Sequence, residues 1–201
     1  MNTLLASHNS WSYLRPKRLF MRPFAFMARC QETTISQQWA FGVRCFDLRV
    51  RFDADGKPYP CHGLIRYDGD VIADLIELNK IARSSHDTFH VRVMLEDNIF
   101  TLDIAEQHRY YFDFCKAIDR GDFPHLQFFG GWTKSEWRSA TIYDFKKTKE
   151  PSIIERHASV SGYGHNLRAL WPKLYAKRHN RESFYGSHSA DYLMLDFINK
   201  I

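Results

Sequence analysis

The sequence predicts an α/β fold with a largely parallel sheet, and three observations predict it. Candidate strands and helices alternate along the chain, as they do where parallel strands are joined by crossover helices. Polar clusters sit at the ends of candidate strands, at His8, at Asp47 and Arg49, at Glu96 and at Asp196. The edge formed by strand C-termini is where a (β/α)8 barrel gathers its reactive side chains. The 201 residues contain no Gly/Ser/Pro linker, internal repeat or low-complexity tract, so one domain is expected over 1–201. Barrels usually run to about 250 residues, so this one should be compact. An open doubly wound sheet is the alternative. That fold normally carries a Gly-rich first loop, and Ser7-His8-Asn9-Ser10 is not one.

Each element has its own signal. Thr3 to Ser7 is a short apolar run that ends at His8, a candidate first strand. From Arg22 to Phe41 apolar and polar residues mix at helical spacing. Within that stretch Thr34-Ile35-Ser36-Gln37 reads as a capped helix start and Gly42 as a stop. Val43 to Phe52 alternates apolar and polar residues, the period of a strand. Asp53-Ala54-Asp55-Gly56 is a turn, and Tyr59 to Cys61 completes a hairpin. Val71 to Ala82 has helical period, His90 to Leu95 alternates again, and Leu102 to Ile118 is amphipathic. Leu126 to Phe129 is a short strand closed by Gly130-Gly131, and Tyr192 to Leu195 is an apolar strand that leads into Asp196. No firm element is assigned between Thr133 and Ala190.

Composition narrows the class. Apolar residues at 44% and charged residues at 25% describe an ordinary globular chain, not a disordered or fibrous one. Twenty-eight basic against 23 acidic residues leave a net charge of +5, which favours anionic ligands without selecting among them. The aromatics are not interleaved with a basic run, so nucleic acid is not an expected partner. Cys30, Cys45, Cys61 and Cys115 show no CxxC spacing, and burial as small apolar side chains is their expected role. No signal peptide or membrane span is visible, so a cytoplasmic monomer is expected.

Two histidines stand in polar, turn-like settings, His8 in Ser7-His8-Asn9-Ser10 and His62 in Cys61-His62-Gly63. Between them Asp47 and Arg49 share one face of a strand. Two imidazoles, a guanidinium and a carboxylate suffice for metal-free phosphodiester cleavage. One imidazole takes a proton from the attacking hydroxyl and the other protonates the leaving oxygen. The guanidinium grips the phosphate and offsets its developing charge.

The ordered segments Leu5-Ala6-Ser7-His8-Asn9-Ser10, Gly42 to Arg49, Asp55-Gly56 and Cys61-His62-Gly63-Leu64 resemble the catalytic X region of phosphatidylinositol-specific phospholipase C, especially its bacterial and atypical stand-alone forms. Val93 to Asn98 is similar to that family's next acidic strand end, and Leu193 to Phe197 to its last barrel strand. The resemblance covers residues 3–98 well and 103–191 poorly. It implies a distorted TIM-type barrel. It also implies a phosphoinositide-cleaving activity in which the inositol 2-hydroxyl attacks phosphorus, releasing diacylglycerol and a cyclic inositol phosphate. By position His8 would be the general base and His62 the general acid. Arg49 would clamp the phosphate, Asp47 would hold Arg49 or an imidazole, and Asp196 would orient His8.

The departures from the family pattern carry further expectations. Arg49 stands where calcium-dependent members place an acidic residue, so no cofactor is expected. Asn9, Asp47 and Glu96 match the other calcium-ligand positions, so a calcium site is the alternative. Asn9 also stands where metal-free bacterial members carry Asp, and it can hydrogen-bond without supplying charge. Asn9, Glu96, Lys134, Trp132 and Tyr163 are the candidates for substrate contacts. The stretch from Trp11 to Phe26, with its aromatics among Arg15, Lys17, Arg18 and Arg22, is a candidate for peripheral contact with a membrane that holds a phospholipid substrate. Two other functions compete with this one. A headgroup or inositol-phosphate binding module would need neither a base nor an acid. A glycerophosphodiester phosphodiesterase would carry an acidic metal ligand where Arg49 stands.

Overall fold

The computed structural model describes residues 3–96, 103–121, 123–130, 143, 145, 150–158, 171–186 and 189–201. The first strand, β1 (Leu4–Ser7), is followed by a 3-10 turn (Leu19–Phe24) and two short helices, α1 (Ala25–Ala28) and α2 (Ile35–Ala40). The long strand β2 (Val43–Phe52) turns back into β3 (Pro58–His62) and β4 (Ile65–Arg66). Then α3 (Val71–Ser84), β5 (Phe89–Leu95), α4 (Ile104–Arg120) and β6 (Leu126–Gly130) alternate. Last come β7 (Ile153–Arg156), α5 (Pro172–Tyr185), β8 (Tyr192–Leu195) and a 3-10 turn at Ile198–Lys200.

The local signals act as expected around α2. The Thr34 side chain accepts from the Gln37 backbone N–H, and the Gln37 side chain accepts from the Thr34 N–H, so two helix-end donors are satisfied at once. Gly42, at φ +94°, then turns the chain into β2. The helical period expected over 22–41 is broken in the structure, because Arg29 to Thr34 leave the helix to bring Cys30 and Gln31 under β1. The strand β4, the strand β7, the helix α5 and both 3-10 turns are additions to the sequence reading.

Strand order bears on the two α/β architectures. The parallel strands run β7-β8-β1-β2-β5-β6, so each neighbours the next in the chain and the first pairs with the last. A doubly wound sheet reverses its order at a switch point, and this one does not. β3 and β4 form an antiparallel arm on the C-terminal half of β2. Among the described residues β6 and β7 share no ladder, and the sheet is open there. It is nonetheless curled, since Arg92 of β5 reaches Glu155 of β7 at 2.5 Å and Met194 of β8 at 3.0 Å.

Period 2 sorts the side chains. The outer face presents Phe46, Leu48 and Val50 of β2, Val91 and Val93 of β5, and Leu193 and Leu195 of β8 to the helices. α3 covers them with Val71, Leu75, Leu78 and Ala82, and α4 with Tyr111, Phe114, Cys115 and Ile118. Both sets keep helical i, i+4, i+7 and i, i+3, i+4, i+7 spacing. The inner face is floored by a small apolar cluster of Ala6, Cys45, Phe129, Tyr192 and Met194. β2 is buried along almost its whole length despite its alternating sequence, because its polar residues point inward, where charged partners meet them.

One turn is sterically critical. Gly56 has φ +75°, and a Cβ there would lie 2.7 Å from the Tyr110 ring. That ring is held by its hydroxyl, whose one proton is shared between Ala54 O at 3.1 Å and Glu106 Oε1 at 3.0 Å. Gly56→Ala should therefore destabilise the protein by roughly 1–3 kcal/mol, seen as a lower thermal midpoint. An unchanged midpoint would show that the hairpin tolerates a side chain here.

Candidate active site

The inner face turns from apolar to charged along each strand, and the site forms where the strands end. His8 follows β1 directly, and its backbone N–H still continues the ladder to Leu195 O. Asn9 turns sharply at φ +41°, which aims its backbone N–H at Asp47 Oδ2, 2.9 Å away. The Asn9 side chain donates to Cys61 O at 3.3 Å and so ties β1 to the arm that carries His62.

His8 is fully buried with both ring nitrogens engaged. Nδ1 lies 2.7 Å from Asp196 Oδ1, and Nε2 lies 2.8 Å from Arg49 Nη2. A carboxylate only accepts and a guanidinium only donates. The proton therefore sits on Nδ1, and Nε2 presents its lone pair to the site. Burial first, then His157 and Arg49, push the His8 pKa down to about 3 against the pull of Asp196. For Asp196, burial would raise the pKa, but His8 outweighs it and holds the carboxyl at about 2. The Ala158 N–H adds a bond to the second oxygen at 3.1 Å.

Arg49 forks among three partners. Its Nε donates to Asp47 Oδ2 at 3.1 Å, Nη1 to Glu96 Oε2 at 3.1 Å, and Nη2 to His8. A guanidinium has five donors, so two remain for a ligand. Glu96 also accepts from Gly63 N at 2.9 Å. Burial works against its charge, but Arg49 and His62 hold its pKa at about 2. Asp47 is shared by two arginines, since Arg92 Nε donates to Oδ1 at 2.8 Å. Burial opposes the Asp47 charge as well, and the two guanidinium groups hold it well below the usual carboxylate range.

His62 stands at the rim, partly buried. Its Nδ1 donates to Ala28 O at 2.8 Å, which leaves Nε2 as the outward nitrogen. Burial lowers its pKa, partly offset by Glu96. The His8 and His62 rings meet edge to face with centroids 5.7 Å apart. Rings this close are in contact, so a shared phosphate would lie at their outward nitrogens and not between them.

His8, Asn9, Asp47, Arg49, His62, Glu96 and Asp196 thus come together at one end of the sheet. Lys134, Trp132 and Tyr163 lie outside the described residues, as do Asp97 and Asn98. Three members went unnoticed in the sequence. The His157 ring stacks on His8 at 3.7 Å and 6°, and its Nε2 is 3.6 Å from Glu155 Oε2. Glu155 in turn pairs with Arg92. The available signal was period 2: a lone Arg in His90-Val91-Arg92-Val93, and a Glu and His two apart in Ile154-Glu155-Arg156-His157.

Three groupings bear on metals. In the calcium set of Asn9, Asp47 and Glu96 the two carboxylates flank the Arg49 guanidinium, Asn9 donates its backbone N–H to Asp47, and both oxygens of each carboxylate accept from N–H groups. Two sets of softer ligands have their ligand atoms within 4.8 Å of one another: His8, Cys30 and His62, and His8, His157 and Asp196.

No family model and no curated protein matches the chain. Solved structures do. A double mutant of phosphatidylinositol-specific phospholipase C from Staphylococcus aureus superposes with a TM-score of 0.61 at 15% identity, covering 98% of this chain and 86% of that one. The enzyme of the same name from Listeria monocytogenes gives 0.58 at 13% identity, covering 98% and 88%. A further S. aureus structure, described by the modulation of that enzyme's membrane binding, gives 0.60 at 14% identity, covering 98% and 86%. Likeness over nearly the whole chain at such low identity speaks for the backbone: this protein has the fold of the bacterial phosphatidylinositol-specific phospholipases C.

Proposed function

We propose that the protein is a phosphodiesterase of the phospholipase C type that cleaves phosphoinositide-like lipids without a metal, on a single TIM-type barrel domain. The observation that carries this reading is the His8 imidazole. Asp196 fixes its tautomer, its lone pair faces Arg49, and a second imidazole stands 5.7 Å away.

In the reaction Arg49 Nη2 turns from His8 to the phosphate, and the freed His8 Nε2 takes the proton of the inositol 2-hydroxyl as its oxygen attacks phosphorus. The Arg49 donors not engaged by Asp47 and Glu96 hold the phosphate oxygens where negative charge builds. His62, protonated at Nε2, gives its proton to the departing glycerol oxygen. The products are diacylglycerol and a cyclic inositol phosphate. Arg49 supplies its charge from between Asp47 and Glu96, which is why no metal is required. A binding module would not need an ordered base, and no observation favours that alternative or a glycerophosphodiesterase.

Turnover of a fluorogenic inositol phosphodiester in EDTA tests this reading, and its pH profile sharpens the test. The free enzyme needs His8 neutral and His62 protonated. His8 keeps its lone pair down to about pH 3, and burial sets the His62 pKa below 6.5. kcat/KM should therefore peak on the acid side of pH 6.5 and fall as pH rises through the His62 pKa. Activity that appears only with calcium, or a peak above pH 7, would overturn the assignment.

An apolar rim supports action at a lipid surface. Leu19 and Phe20 are 70% and 65% exposed, and Phe24 and Phe26 are also exposed. Phe26 stacks on exposed Trp171 at 5.9 Å, and basic Arg15, Lys17, Arg18 and Arg22 lie in the same stretch. Trp11, placed at the start of this stretch in the sequence reading, is fully buried and belongs to the core. No helix among the described residues is long and apolar enough to cross a membrane. The double variant Leu19→Ser, Phe20→Ser should bind anionic vesicles at least about ten-fold more weakly, since each large apolar side chain contributes about 1.5–3 kcal/mol when buried. Unchanged sedimentation with vesicles would remove this surface from the reading.

A further inference from the structure

Cys30 lies beside the two imidazoles and has no part in the acid–base chemistry. Its Sγ is 3.6 Å from His62 Nδ1. A four-coordinate zinc ion with Zn–S of about 2.3 Å and Zn–N of about 2.0–2.1 Å requires an S to N separation of about 3.6 Å. One ligand atom from each of His8, Cys30 and His62 lies within 4.8 Å of the others. Asp196 already holds the Nδ1–H of His8, the arrangement in which a carboxylate orients a histidine for metal binding through its other nitrogen.

We infer that Cys30, His62 and His8 form a site for a thiophilic divalent cation of the zinc class, and that occupation of this site switches the phosphodiesterase off. Two nitrogens and a sulfur select such ions over calcium, which takes oxygen ligands. Charge balance agrees. Around the site Asp47, Glu96, Glu155 and Asp196 outnumber Arg49, Arg51 and Arg92 by one. A divalent ion with a Cys30 thiolate adds one positive charge and brings this group to neutrality. On binding, the thiol releases one proton to solvent, the His62 proton moves from Nδ1 to Nε2, and Arg49 gives up its bond to His8 while keeping Asp47 and Glu96. Water fills the fourth position. The metal then holds both imidazoles that the reaction needs free. The inhibitory half of this inference rests on the function proposed above; the binding half rests on geometry alone.

The two halves are tested separately on the full chain. Cobalt titrated into the metal-free protein should give one equivalent of four-coordinate visible bands with a near-ultraviolet thiolate-to-metal band, and zinc should displace it. Cys30→Ala should abolish the thiolate band and weaken zinc binding on the order of 100-fold, one ligand's share of a structural zinc affinity. His62→Ala, at a partly exposed position, should weaken it comparably and serves as the second variant. Absence of the thiolate band in wild type, or wild-type zinc affinity in both variants, overturns the site. In turnover, zinc should inhibit wild type and EDTA should restore it, while Cys30→Ala keeps its basal rate and resists zinc. Zinc bound through Cys30 without loss of turnover overturns the switch. A protein with no turnover at all overturns the proposed function and, with it, the switch, and leaves the cobalt result to decide the site.

Discussion

His8→Gln is expected to lower turnover by about 10³-fold or more, within the range for loss of a general base in a positioned pair. Glutamine is chosen because it can accept from Arg49 and donate to Asp196 while being unable to take a proton. The buried partners therefore stay satisfied, and a loss of rate reports chemistry rather than unfolding. His8→Ala would lose the same chemistry but also strand Asp196 and Arg49, which bond to opposite edges of the ring at 2.7 and 2.8 Å. A thermal midpoint close to wild type for His8→Gln, with turnover reduced as stated, is the expected pair of results. Turnover above a tenth of wild type would mean that another group takes the proton.

The largest effect on stability is expected at Asp47. Its two oxygens accept from Arg49, Arg92 and the Asn9 backbone, all of them buried. Asp47→Ala leaves two desolvated guanidinium groups with one carboxylate each, Glu96 for Arg49 and Glu155 for Arg92. Removing one partner of a buried pair costs about 3–5 kcal/mol, a large part of the 5–15 kcal/mol by which a domain is usually stable. Urea titration should show the midpoint falling with little change in slope. A change below about 1 kcal/mol would mean that water reaches the arginines and that the charged layer is not held together by this carboxylate.

What the sequence disclosed and what it hid have physical reasons. β2, α3 and α4 were legible because each is long and keeps a strict period against the core. His8, Asp47, Arg49, His62 and Asp196 were legible as an ordered set, and the structure places them together. β7 has four residues, three of them only partly buried, so alternation had no length in which to show. α5 buries just Pro172, Tyr175, Ala176 and Asn180 among charged residues, too thin an apolar stripe to stand out. Arg92 sat within a recognised strand, yet the need for an inward partner could be seen only once Asp47 was known to face it. Cys30 owes its place to tertiary folding, with no local pattern around it, and the two-apart spacing of Glu155 and His157 fell on a strand too short to stand out. The calcium alternative illustrates the same limit. The residue types allow it, and the sequence alone could not show that Arg49 donates to both Asp47 and Glu96.

The pairing of the first strand with the last has a consequence for how the chain reaches its native state. His8 and Asp196 are 188 positions apart, and β1 finds one of its two neighbours only when β8 arrives. Contacts of such long range must be won against chain entropy before they contribute, and proteins dominated by them fold slowly. Until β8 docks, one edge of β1 is bare, with its backbone groups open to pairing with another molecule. Productive folding should therefore be sensitive to protein concentration, with association of partly folded chains competing against the last strand for the same row of hydrogen bonds.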